Sequence, residues 1–84
     1  MTPYQRRVLA ALRRAADYWN EPVSPFTVAH YVYAWGRDGD RIAAGVGAVT
    51  RALWRLRHAG KARTTECAGR IVWLPAAQES AAGA

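Results

Sequence analysis

The chain of 84 residues has one cysteine, Cys67. A single thiol makes no internal disulfide and no cysteine-based zinc cluster, which fits a reducing compartment. Its two histidines, His30 and His58, fall on different helical stretches with no cysteine or carboxylate at ligand spacing, so they do not read as a metal pair, and no cofactor is expected. Carboxylates are scarce: six Asp and Glu stand against twelve Lys and Arg. They form no paired set in a plausible cleft, and neither a Ser/His/Asp set nor a glycine-rich phosphate loop before a helix is present, so no enzyme is expected. No apolar run reaches about 18 residues, so no transmembrane span is expected. A charged-then-apolar leader is also missing, so a cytoplasmic protein is expected rather than an exported one. This length suits one small domain, and an apolar fraction of 51% is ample for its core.

What the chain does have is positive charge, unevenly placed. The formal net charge is +6. Up to residue 40, Arg6, Arg7, Arg13, Arg14 and Arg37 are nearly balanced by Asp17, Glu21, Asp38 and Asp40. From residue 41 to 74, Arg41, Arg51, Arg55, Arg57, Lys61, Arg63 and Arg70 face only Glu66, so the whole excess lies there. Nearly all of it is arginine, whose planar fork binds phosphate and guanine edges bidentately. A genome rich in G and C also favours Ala, Arg and Gly, and composition alone is the competing reading of the excess.

A first helix is expected from Pro3, with Thr2 as N-cap and Gln5 completing a capping box. Val8, Leu9, Leu12, Ala15, Ala16 and Trp19 form its apolar stripe; Arg6, Arg7, Arg13, Arg14 and Asp17 read as a solvated face; Asn20 and Pro22 stop it. Val23 can add a brief strand to a later hairpin. Ser24 caps and Pro25 starts a second helix, apolar nearly all round and expected to be well covered, ending near Ala34 or Trp35. Gly36 to Asp40 is a loop signal, with Asp40 a possible cap for a third helix beginning at Arg41 or only after Gly45. Gly45 and Gly47 weaken the first turn by about 1 kcal/mol each relative to alanine.

The third helix is the centre of the chain. Val46, Val49, Leu53 and Leu56, with Ala52 beside them, define one apolar face; Thr50, Arg51, Trp54, Arg55 and His58 fall on or near the other. Arg57 lies closer to the core side. Gly60 stops the helix. A basic strand, Lys61 to Thr65, a polar turn, Glu66-Cys67-Ala68-Gly69, and a returning strand, Arg70 to Leu74, follow. Pro75 onward lacks large apolar residues and reads as a disordered tail. The fold class is therefore mainly α with a small β-hairpin (α+β), occupying residues 1–74.

This order, with Leu56-x-x-x-Gly60, then Arg63, then Arg70-Ile71-Val72-Trp73-Leu74, resembles the three-helix winged helix-turn-helix domain of bacterial and phage transcriptional regulators. The resemblance implies a sequence-specific double-stranded DNA-binding protein, repressor-like, with the third helix in the major groove and a basic wing on the backbone. Groove-facing positions would be Gly47, Thr50, Arg51, Trp54 and Arg55, and Arg41, in a segment from Trp35 to Ala44 that is long for the turn, would be a further DNA-binding position. Wing positions would be Arg63, Thr65 and Arg70, and the second helix would offer Ser24, Thr27 and free backbone N–H groups to a phosphate. A homodimer on a two-fold site is one possibility.

Other readings stand beside these. Trp54 is open between a thymine methyl, a second protomer and its own wing. Arg63 and Arg70 equally suit phosphate contact or the blunting of a sheet edge. A winged helix used for protein–protein contact, or a phage or mobile-element excision or architectural factor, is the functional alternative. RNA binding needs exposed aromatics on a sheet, and the hairpin offers only Trp73, expected to be buried.

Overall fold

The computed structural model describes residues 1–33 and 39–76, and only the backbone of 39–44. Three helices, α1 (Pro3–Trp19), α2 (Pro25–Val32) and α3 (Gly39–His58), precede an antiparallel hairpin of β1 (Ala62–Cys67) and β2 (Arg70–Pro75). The α+β class expected from the sequence is the one observed.

Local chemistry sets the boundaries. In α1 the Thr2 hydroxyl accepts from the Gln5 N–H at 3.1 Å while the Gln5 amide oxygen accepts from the Thr2 N–H, a complete capping box. Asn20 ends the helix in the left-handed region, where its short polar side chain is tolerated. Ser24 caps α2 and Pro25 opens it. α2 stops at Val32, and Arg7 of α1 donates to the Val32 carbonyl at 3.1 Å, satisfying one of the acceptors a helix end exposes. One of the four arginines expected to be solvated thus has a structural partner. At the end of α3, the Lys61 N–H donates to Leu56 O and the Gly60 N–H to Arg57 O, the paired bonds of a Schellman stop, with Gly60 at φ +76°.

The core is built from Val8, Leu9, Leu12 and Ala15 of α1, Val28 and Ala29 of α2, Val49, Leu53 and Leu56 of α3, and Trp73 of β2. Trp73 is its largest fully buried side chain and seats the hairpin on the helices. Val23 pairs with Trp73 through two backbone bonds of 2.8 and 2.7 Å, so the linker supplies the brief strand that its β-branched residue suggested.

Several expectations need correction. Glu66 and Cys67 are not turn residues: β1 runs through them, and the reversal is confined to Ala68 and Gly69, at φ +52° and +77°. This two-residue turn matches the right-handed twist of the strands. Pro75 is the last residue of β2 and the Ala76 N–H donates to Lys61 O, so the hairpin extends past the expected boundary; 77–84 lie outside the described residues. Trp19 and Phe26 are 47% and 50% exposed rather than covered, because each stands at a helix end beyond the core's reach. α3 already includes Gly39 and Asp40, so Asp40 lies within the helix instead of capping it, and the helical run takes up much of the long segment expected as a loop. The expected continuation of α2 to Ala34 or Trp35 and the loop residues Gly36 to Asp38 fall outside the described residues.

Gly45 shows why glycine stands inside α3. It is buried, and a Cβ there would meet the Tyr33 ring, lying 2.8 Å from Cζ. The residue that looked like a weak first turn is a point of close approach between α2 and α3.

Candidate nucleic-acid interface

One helical turn brings residues three and four apart onto one face, and in α3 this aligns Gly47, Arg51, Trp54, Arg55 and His58. All five are exposed, while Val49, Ala52, Leu53 and Leu56 on the opposite side are buried. From Gly47 to His58 the face is therefore a continuous cationic strip, with open space at Gly47: a Cβ there would have only the Arg51 guanidinium nearby, at 3.8 Å.

The two edges of the strip differ. Along one edge Arg51 and Arg55, with Ala48 and Ala52, line a shallow cleft of about 250 Å³ whose other wall is Thr2, Tyr4 and Gln5 at the start of α1. The Tyr4 hydroxyl there lies 2.7 Å from the Tyr33 hydroxyl. Burial, then the Tyr33 hydrogen bond, push the Tyr4 phenol up to about 12, against the opposing pull of Arg7 and Arg51. Tyr4 therefore stays neutral beside Arg51 even in alkaline solution.

The other edge abuts the hairpin. Trp54 is 37% exposed and packs edge-on against Trp73 with ring centroids 4.9 Å apart. Of the readings open for Trp54, contact with its own hairpin is the one observed. The Arg57 guanidinium sits over the Trp54 ring at 5.6 Å, and its Nε donates to the Thr64 hydroxyl of β1 at 3.2 Å. Arg57 is exposed and ties helix to hairpin, on the side of α3 nearer the core, as its helical angle suggests. It lies at the margin of the apolar face, where helical angle alone does not separate core from junction; the basic residue one turn after Leu53 and facing a strand Thr was the available signal.

The remaining expected positions divide. Thr50 is half-buried and its hydroxyl donates to Val46 O at 2.7 Å, which turns it into the helix rather than outward. Arg63, Thr65 and Arg70 are exposed on one face of the hairpin, opposite Leu74, Val72 and Cys67 respectively. They do not cluster at the turn: Arg70 adjoins it, whereas Arg63 lies near the helix end of β1. Pairing alternates faces, so Ala62, Thr64 and Trp73 point at the helices and this arginine-bearing face points away. Thr65 also lines a cleft of about 330 Å³ with Glu21, Pro22, Glu66, Cys67 and Val72, which sets two carboxylates beside the wing.

At the second helix, Ser24 and Thr27 are half-buried. The Thr27 N–H donates to the Ser24 hydroxyl at 3.2 Å, and the Val28 N–H to Ser24 O. Pro25 has no N–H, so the free donors expected here reduce to Phe26, and Glu21 lines the adjoining cleft. This corner is a poor anion site. Arg41 belongs to α3 by its backbone, and its side chain lies outside the described residues.

No group of three His, Cys, Asp or Glu suited to a metal ion occurs among the described residues, and none of their helices is long and apolar enough to cross a membrane. No family model, no curated protein and no solved structure matches the chain.

Proposed function

We propose that this chain is a cytoplasmic DNA-binding protein of winged helix-turn-helix type, a small repressor-like regulator, laying the exposed face of α3 in the major groove with the hairpin as its wing. The observation that carries this reading is the Gly47–Arg51–Trp54–Arg55–His58 strip, cationic, open at Gly47 and flanked by a hairpin whose outward face bears Arg63 and Arg70. A recognition helix needs an open approach to its exposed face, and arginines one turn apart that can fork onto guanine O6 and N7. Gly47, Arg51 and Arg55 meet those needs. Arginine–phosphate contacts then supply most of the affinity.

Binding to random duplex DNA across a salt series tests the reading. With about five phosphates neutralised per protomer, log K falls with log salt at a slope near −4.5. Arg51→Ala/Arg55→Ala weakens this binding, but by less than it weakens binding to a selected site. A wild type that fails to bind even at low salt removes the proposal and leaves the arginine faces to an acidic protein partner.

A further inference from the structure

We propose that the C-terminal half of α1 is a self-association surface, on which a second copy of this chain packs antiparallel. Ala10, Arg13, Arg14, Asp17 and Tyr18 are all exposed on the side of α1 turned from the core. At 100° per residue they span an arc of about 140°, one helix face. Tyr18 is 73% exposed and meets the exposed Trp19 edge-on at 5.1 Å. Two adjoining aromatic rings left in water at a helix end mark an interaction surface.

The charges identify the occupant. Going along this face of α1, the charged groups run Arg13, Arg14, Asp17: positive first, negative after. A reversed copy related by a two-fold axis between Ala15 and Ala16 sets Arg14 against the partner's Asp17, and by symmetry the same contact forms twice. In this register Arg13 meets the partner's Tyr18, a guanidinium over a phenol ring, again twice. A partner of one charge sign would match one half of this strip and oppose the other; a second copy matches both. The surface excludes the α3 face, so this inference does not rest on the DNA-binding reading.

Sedimentation of the full chain over a concentration series from micromolar to millimolar tests it. The wild type is expected to rise from a mass of 9.3 kDa toward twice that value. Arg14→Asp and Asp17→Arg each raise the dissociation constant roughly five- to tenfold, because a single change creates two like-charge contacts in a two-fold interface. The double variant Arg14→Asp/Asp17→Arg restores opposite charges and returns association toward the wild type. Tyr18→Ser abolishes the dimer, and circular dichroism shows that each of these exposed changes leaves the helices intact. A wild type that stays at monomer mass throughout, a dimer unmoved by Tyr18→Ser, or a double variant no tighter than the singles overturns the proposal.

Discussion

The hydroxyls of Tyr4 and Tyr33 lie 2.7 Å apart, joining the start of α1 to the end of α2 beside α3. Burial and this hydrogen bond raise the Tyr4 phenol from 10.0 to about 12. A group whose folded value is raised contributes stability that is complete below its unfolded value and is lost as pH climbs through the folded one. Folding stability is therefore expected to fall between about pH 10 and pH 12 as the unfolded state gains tyrosinate first. Tyr4→Phe flattens that dependence and costs about 1 kcal/mol at neutral pH, since the Tyr33 hydroxyl loses its partner. Urea titrations at pH 7, 10 and 11, beside tyrosinate absorbance, check both parts.

The same junction limits residue 45. Gly45→Ala places a methyl against the Tyr33 ring, and overpacking of this kind costs roughly 1–3 kcal/mol despite alanine's better helix propensity. If the clash is the cause, Gly45→Ala is milder in a Tyr33→Ala background, and a double-mutant cycle of denaturation midpoints shows coupling between the two sites. Additive effects would mean that the helix, not the ring, rejects the side chain.

Arg57 couples α3 to the hairpin through Trp54 and Thr64. An exposed cation–π contact is worth about 0.5–1 kcal/mol and a side-chain hydrogen bond about as much. Arg57→Ala is thus expected to cost about 1–2 kcal/mol, and Arg57→Lys to recover little, because an ammonium cannot stack its plane on the indole while donating to Thr64. Thermal unfolding followed by tryptophan fluorescence distinguishes these variants.

Ala68 occupies the left-handed region at φ +52°, a conformation that costs an L-residue about 1–2 kcal/mol. Ala68→Asn gives Asn-Gly at the turn, the pair best suited to this geometry, and is expected to stabilise the hairpin by up to about 1 kcal/mol. Amide exchange in β1 and β2 slows if this is so.

These positions show what the sequence could reveal. The ends of all three helices near Thr2, Ser24 and Gly60 depend on interactions within a few residues, so side-chain chemistry in sequence identified them. The face of α3 followed from periodicity in the same way. What periodicity could not supply was long-range: Gly45 is explained by Tyr33 on another helix, Arg57 by Thr64 on a strand, and the exposure of Trp19 and Phe26 by where the core stops. Glu66 and Cys67 are polar and read as turn residues in sequence, whereas strand pairing on an exposed edge needs no apolar residue. At Ser24 and Thr27 a good cap was visible, but the same cap consumes the donor that a phosphate would need.

The arginines of α3 and the hairpin are expected to behave differently on a site selected from random duplexes. Arg51 stands mid-helix on the exposed strip, so Arg51→Ala should cost roughly 1–3 kcal/mol on the selected site and far less on random DNA. Arg70 adjoins the hairpin turn, away from that strip, and suits a phosphate. Arg70→Ala should weaken selected and random DNA alike and reduce the salt slope by about 0.9. Arg51 also borders the cleft against Thr2 and Gln5, which gives a specific way for the expectation to fail. If Arg51→Ala lowers both affinities equally and flattens the slope as Arg70→Ala does, then Arg51 and the start of α1 hold a phosphate between them. In that case the base-reading part of α3 shifts toward Gly47. Fluorescence anisotropy on the two duplexes at three salt concentrations separates these outcomes.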